Sequence, residues 1–419
     1  MLRSSNTPAQ AETSQATAEN SILMQKVQGV LQQLVKFLFM ALLLPVLLVV
    51  RLLRPVFLVR FGPLRTDRIG DFTFHTEVYL CSRDLGLHGR RALDLFYCRS
   101  RTSNHFLKKM WQRTIHIYPV ADWLDRLNRW VPGGKVHEIP ISQKPYQNRD
   151  MNGVLAKVGP HLSFTSEEEA QGQAELQEIG IPPETPFVCF IARDSAYLDQ
   201  VFPQIEWSYQ GYRDASIQSY VQAAEELAGR GYYSLRMGAA VEEKLDSTNP
   251  LVIDYANTCR TEFLDMYLGS RCKFLITNDC GYVNIPQIFR RPIVWTNMSA
   301  MEVVHTWLPN QIFILKKLWH EEERRFLTFP EIMSSGIGRL QGSDNYQELG
   351  ITLIENTPEE ISVVALEMDD RLNGTWNETE EDDHLQRRFW ELYASSEQHN
   401  QIVSRIGADF LRQNQDLLD

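Results

Sequence analysis

Between Phe37 and Val50 the chain reads FLFMALLLPVLLVV, and few environments accept such a stretch. It must lie in or on a bilayer, in a protein core, or in a secretory signal. A span needs about 20 predominantly apolar residues, and the uninterrupted run is shorter. Leu34 and Val35 extend it if Lys36 snorkels from the helix end. Leu52, Leu53, Val56 and Phe57 extend it on the far side, broken by Arg51 and Arg54. Pro45 at mid-run predicts a kink, so a re-entrant or interfacial anchor stands beside a simple span. A signal peptide fits poorly, because the run follows a polar tail and lacks a small-residue cleavage site. A buried core helix is the other rival. Arg51, Arg54, Arg60, Arg65 and Arg68 follow the run, against Arg3, Lys26 and Lys36 before it. That bias predicts a C-terminal part on the cytoplasmic face of the inner membrane. Residues 1–22, rich in Ser, Thr, Gln and Ala, read as a disordered tail, and 23–54 as the anchoring helix.

The remaining chain alternates strand and helix patterns, as a parallel sheet flanked by helices requires. Strands are predicted at Val56–Phe61, Leu93–Tyr97, Phe187–Ile191, Tyr232–Met237, Leu251–Asp254, Lys273–Thr277 and Pro292–Thr296. Helices are predicted from near Gly70, over Asn104–Trp111 and Ala121–Trp130, and over Ser216–Arg230, Thr261–Gly269 and Val283–Phe289. A polar stretch with scattered Gly and Pro, 142–169, suggests a boundary. The domains are drawn as 55–175, 176–372 and a helical tail at 373–419. Thr357-Pro358-Glu359-Glu360 is a helix start, with Pro at the first helical position and acids in the first turn. The acidic run Glu378–Asp383 fits a solvated helix start better than a metal site.

A net charge of −11 argues against a nucleic-acid partner, which needs a basic footprint. The six cysteines include no C-x-x-C pair and no zinc-type spacing with histidine, so they read as scattered thiols of a reducing compartment. No metal site is expected.

Chemistry is concentrated at strand ends. Phe274–Thr277 runs into Asn278-Asp279-Cys280-Gly281, then a helix containing Asn284. Ligands of open parallel sheets bind at the carboxyl ends of strands. Helix N-termini there offer free N–H groups to phosphate, and Gly281 allows close backbone approach. The strand at Phe187 ends in Arg193-Asp194, where a planar guanidinium suits a phosphate; a surface ion pair is the alternative. Arg236 and Gly238 end the next strand, where Arg236 is either a second phosphate contact or a structural ion pair. Arg68-Ile69-Gly70-Asp71 follows the first strand. Asp71 fits a general base or a helix N-cap, and His75 is a second candidate base.

The segment T-N-D-C-G-x-x-N-I-P-x-I-F-x-x-P is similar to the donor-site segment of heptosyltransferases and related GT-B enzymes. Cys280 stands where those have Ser, and Asn284 where they have His. Arg68-x-Gly70-Asp71 resembles the R-x-G-D segment of the same enzymes, which implies Asp71 as the base. The stretch Ile191-Ala192-Arg193 resembles the H-x-R motif of fucosyltransferases, with Ile191 in place of His. From about Arg60 to Leu418 the chain also resembles a bacterial family of uncharacterised glycosyltransferases, through A-R-D-S-A-Y-L, G-Y-Y-S-L-R-M-G and I-E-N-T-P-E-E-I.

These resemblances imply an α/β, GT-B-like fold: two Rossmann-like domains with an intervening cleft, behind an N-terminal membrane helix. They imply sugar transfer from a nucleotide sugar to a glycan or lipid-linked acceptor in envelope polysaccharide biosynthesis. The diphosphate would be held by Arg193, Asp194, Arg236, Gly238, Thr277–Gly281 and Asn284. No cofactor is expected beyond the nucleotide-sugar substrate, and the transfer is expected to be metal-independent. Alternatives are a sugar-nucleotide epimerase or pyruvyl transferase of similar fold, or a degenerate scaffold that lacks catalysis.

Overall fold

The computed structural model describes residues 8–89, 92–141, 149–394, 396 and 402–419. The protein is mixed α/β and divides into two compact units, the first made of residues 1–63, 90–99 and 115–140, the second of the rest.

The first unit carries the apolar run in one helix, Pro8–Leu53. Residues 8–22, read above as a disordered tail, join it, because their Ala, Gln and Glu residues are good helix formers. The helix is continuous through Pro45, where a kink was expected. Gln28–Leu53 is long and apolar enough to cross a membrane, with a mean hydropathy of 2.4 in its most apolar window. Its last turns are nonetheless built into a core. Leu47 is fully buried with Val59, Phe61, Tyr97, Ala121, Leu124 and Leu127, and Phe39 meets Trp123 edge-on at 5.4 Å. Leu42 and Leu52, on other faces, stay exposed.

Arg51 closes this contact. Its guanidinium donates to the carbonyls of Asn128, Val131 and Pro132 and to Asn128 Oδ1, at 2.6–2.9 Å. It thereby satisfies carbonyls at the C-terminus of the helix Pro119–Trp130, where a cation is favoured. Beside this helix lies a three-stranded sheet, β1 (Leu58–Leu64), β2 (Ala92–Cys98) and β3 (His116–Ile117), in that order. Arg60 and Asp94 pair across β1 and β2 at 2.7 Å, both buried.

The second unit is built on a seven-stranded parallel sheet. Its strands are β4 (Phe187–Ile191), β5 (Tyr233–Arg236), β6 (Val252–Ile253), β7 (Leu275–Thr277), β8 (Ile293–Met298), β9 (Gln311–Leu315) and β13 (Arg405–Ile406). Every pairing among them is parallel. The remaining strands, β10 (Lys317–His320), β11 (Arg325–Phe326) and β12 (Ile351–Ile354), form a small antiparallel sheet in the order β11-β10-β12.

The order of the large sheet, β13-β9-β8-β7-β4-β5-β6, decides where a ligand can go. The chain winds outward from β4 through β5 to β6, then returns to the other side of β4 at β7. The reversal lies between β4 and β7, and a crevice opens at the carboxyl ends of strands at such a point.

Candidate active site

A cavity of about 590 Å³ lies at this reversal, within the range typical of small-molecule sites. All of its lining residues belong to the second unit. The extension of β4 contributes Arg193 and Asp194, the turn after β7 contributes Asp279, Cys280 and Gly281, and the start of the helix Ile69–Asp84 contributes Gly70 and Asp71. Three of the motifs singled out in the sequence therefore meet here.

Asn278 ties two of them together. It is fully buried and does not line the cavity. Its Oδ1 accepts from the Arg193 main-chain N–H and its Nδ2 donates to the Arg213 carbonyl, both at 2.8 Å. Thr277 is equally buried, with its hydroxyl on the Asn278 carbonyl at 2.8 Å. Both shape the turn from behind. Cys280 reaches the lining, but burial raises its thiol pKa.

The turn leads into a short 3-10 segment and then a helix of only five residues, Asn284–Ile288. So short a helix carries little dipole, and the expected helix N-terminus adds little to the site. The close backbone approach expected of Gly281 is present, but Gly70 imposes it. A Cβ on Gly70 would lie 2.8 Å from Asn284 Nδ2 and 3.3 Å from Gly281 Cα, whereas one on Gly281 would meet nothing closer than 3.4 Å. Asn284 thus sits beneath the wall, outside the lining.

Arginine supplies the cationic character. Arg193 pairs with Asp214. Arg213, not singled out in the sequence, lies beside it and holds the Asp279 carbonyl at 2.6 Å and its carboxylate at 3.0 Å. Burial, reinforced by the neighbouring Arg213 charge, pulls Arg193 down to about 10. Two like charges at one wall favour an anion between them. Arg260, also unmarked in the sequence, pairs with Asp265 at 2.6 Å. Arg68 stacks over Trp207, 5.3 Å from the ring centroid.

Two of the expected donor contacts do other work. Arg236 does not line the cavity; it is buried, paired with Asp254 at 3.1 Å and donating to the Glu243 carbonyl at 3.0 Å. The reason is topological: β5 lies between β4 and β6, one strand removed from the reversal, and the partner acid follows β6. Asp194 lines the cavity, but its carboxylate is engaged by the Ala196 and Glu242 N–H groups, which fixes the loop after β4. Gly238 lines the cavity with a φ of +155°, and a Cβ there would collide with Val241 at 2.4 Å.

Asp71 is not a helix N-cap. The cap position is Arg68, and Asp71 lies in the first turn. Its carboxylate meets Arg65 at 3.1 Å and His75 Nε2 at 3.4 Å. Burial raises its pKa, but the His75 hydrogen bond and the Arg65 and Arg68 charges outweigh that and hold it below the usual carboxylate range. Asp71 is therefore ionised at neutral pH. His75 lies outside the lining, buried one turn along the same helix, where it orients Asp71.

No family model matches the chain, and no curated protein matches it. Among solved structures, the chain is similar to a glycosyl transferase family 9 protein from Veillonella parvula DSM 2008, at 13% identity over 76% of this chain and 97% of that one, with a TM-score of 0.43. It is also similar to the E. coli ADP-heptose LPS heptosyltransferase II, at 12% identity over 61% and 90%, with a TM-score of 0.35. A third is TibC, an iron-containing dodecameric glycosyltransferase from enterotoxigenic E. coli H10407, at 12% identity over 62% and 66%, with a TM-score of 0.30. All three are glycosyltransferases. The heptosyltransferase resemblance seen in the sequence is met again among them. None of the scores reaches 0.5, so the chemistry of the cavity rests on its own residues.

The third structure corrects one expectation. A reaction without cofactor was expected, and TibC contains iron. Among the described residues of this chain, Glu77, Cys81 and His161 bring potential ligand atoms within 4.8 Å of one another.

Proposed function

We propose that the protein is a glycosyltransferase that binds a nucleotide-sugar donor in the cavity between the ends of β4 and β7. The observation that carries this reading is the adjacent pair Arg193 and Arg213 at the topological reversal, with Arg193 pulled down to about 10 by burial and by its neighbour. A diphosphate placed against them would relieve that repulsion and stabilise the charge that develops on the leaving group. Its negative charge would draw Arg193 and Arg213 away from Asp214 and Asp279. The donor would then rest against the part drawn as 176–372, and the acceptor beside Asp71 in the part drawn as 55–175.

In this reading the acceptor hydroxyl oxygen attacks the anomeric carbon. The bond from that carbon to the diphosphate oxygen breaks, its electron pair leaves on the phosphate, and Asp71 takes the hydroxyl proton. Asp71 has the required ionisation but a lowered basicity, so its contribution is largest once the acceptor displaces water from its surroundings. The acceptor would be an envelope glycan or a lipid-linked precursor, reached at the cytoplasmic face of a membrane to which Gln28–Leu53 attaches the chain.

The test is a thermal-shift scan with nucleoside diphosphates and their sugar conjugates, followed by donor hydrolysis. At least one nucleoside diphosphate is expected to raise Tm, and Arg213→Gln to weaken its binding about tenfold or more. Asp71→Asn is expected to lower the hydrolysis rate by about 10²-fold or more with little change in donor binding. A protein stabilised by no nucleotide at millimolar concentration would refute the donor site.

A further inference from the structure

Away from the cavity, the other end of the helix Ile69–Asp84 carries a second cluster. Glu77 and Cys81 are one turn apart on this helix, both fully buried, and His161 comes from a loop 80 residues further along. Glu77 Oε2 lies 3.2 Å from His161 Nδ1. Cys81 Sγ lies 3.7 Å from Glu77 Oε1 and 4.0 Å from His161 Nδ1. Tetrahedral coordination at ordinary Zn–S, Zn–N and Zn–O lengths sets ligand atoms about 3.3–3.6 Å apart. The two Glu77 oxygens face different neighbours, and with one ligand atom taken from each residue the three lie within 4.8 Å of one another, so a small turn of the carboxylate closes a coordination triangle.

The opposite ring nitrogen of the histidine supplies an independent observation. His161 Nε2 lies 3.0 Å from Asp84 Oδ2. A carboxylate on the far nitrogen is the usual outer partner of a metal-bound imidazole: it keeps the proton there and leaves the other lone pair for the ion. Against the effect of burial, Glu77 on Nδ1 and Asp84 on Nε2 together raise the His161 pKa; an ion would take the place of the Nδ1 proton, which leaves to solvent, while Asp84 keeps the proton on Nε2.

Arg290 also reaches the cluster. Its Nη2 lies 2.7 Å from Glu77 Oε1 and 3.3 Å from Cys81 Sγ. The same guanidinium is held by the carbonyls of Leu155 and Val158 at 2.8–2.9 Å, so it keeps partners when Glu77 turns toward an ion. Its positive charge faces Glu77, with Asp150 also close enough to act on Cys81. Loss of the Cys81 proton would add a further negative charge.

We propose that Glu77, Cys81 and His161 form a divalent metal site of the zinc or ferrous type, with Asp84 as outer partner and water in the fourth position. On binding, the Cys81 thiol proton goes to solvent and the sulfur–metal bond forms. Mixed sulfur, nitrogen and oxygen donors suit these ions rather than magnesium or calcium. The ion fastens the helix that carries Asp71 in its first turn to the loop at His161. Glu77 lies six positions after Asp71, about 9 Å of helix rise, so the site braces the catalytic candidate without touching it.

The test uses the full chain, stripped with a chelator and titrated with Co²⁺. One ion per chain is expected, with a thiolate-to-cobalt absorption band. Cys81→Ser is expected to abolish the band. Asp84→Asn, whose side chain is 43% exposed in the wild type and so tolerant of change, is expected to keep the band and weaken binding about 10–100-fold. Failure to bind Co²⁺, binding without a thiolate band, or a band that survives Cys81→Ser would each overturn the site. These readouts are spectroscopic and do not depend on sugar transfer.

Discussion

The Asn278 carboxamide oxygen accepts the Arg193 main-chain N–H at 2.8 Å, while its amide nitrogen donates to the Arg213 carbonyl at the same distance. One buried side chain thus sets the backbone positions of both arginines proposed to hold the diphosphate. Asn278→Ala leaves a buried donor and a buried acceptor unmatched, a cost of about 1–3 kcal/mol for each group. We expect a clear fall in Tm together with weakened nucleoside diphosphate binding. A variant that loses stability yet binds nucleotide as before would show that Asn278 supports the fold alone.

Gly70 and Gly281 face each other, and only one of them is sterically constrained. Gly70→Ala must push against the Gly281 backbone, 3.3 Å from the added Cβ, and should cost about 1–3 kcal/mol. Gly281→Ala meets ordinary contact distances and should cost less than about 1 kcal/mol. Chemical denaturation of the two variants measures the order. The reverse order would contradict the packing described here.

Arg236 and Arg213 separate fold from ligand binding. Arg236→Met breaks a buried pair with Asp254, which should lower stability by about 3 kcal/mol or less, and should leave nucleotide affinity in the surviving folded protein unchanged. Arg213→Gln should do the opposite. Calorimetric titration alongside thermal unfolding distinguishes them, and a large affinity loss in Arg236→Met would return that residue to the site.

Asp265, at the cavity wall, has its carboxyl raised to about 6 by burial, against the pull of Arg260 and Tyr255 and with a smaller push from Glu262. The folded value lies above the unfolded one of 3.8, so the folded state holds this proton more tightly. Its contribution to stability is therefore favourable at low pH and is lost as pH rises from about 4 through 6, by on the order of 3 kcal/mol. Asp265→Asn should remove that dependence. Relative to wild type, the variant should gain stability between pH 4.5 and pH 7.5; an unchanged gap would mean that the carboxyl titrates normally.

Parts of this architecture are legible in the chain because they obey local rules. Phe187–Ile191 is apolar at every position and is a fully buried strand with those bounds. Thr357 and Glu360 form the capping box that opens Pro358–Asn373. Other parts are set only by the assembled sheet. The two-residue strand β13 gains its partner β9 across some 90 residues of chain, too short to show a period. Arg193 and the turn at Asp279 stand out because strand ends are marked by the change from apolar to polar. Arg213 and Arg260 do not, since loops carry them to the wall. Arg236 looked equivalent to Arg193 because both end strands; the strand order, which no local pattern shows, puts Arg193 at the reversal beside β4 and Arg236 one strand away from it.

The clasp of Arg51 on the carbonyls of Asn128, Val131 and Pro132 joins residues 77–81 positions apart. A ribosome making about 5–20 residues per second therefore leaves the apolar helix without its protein partner for several seconds. During that interval the apolar faces of the helix lack the side chains that later bury Leu47. The helix is consequently no detachable tether: a chain shortened to begin after Leu53 would bare Val59, Tyr97 and Leu124 to water, and its insolubility would reflect a missing wall, not a missing membrane.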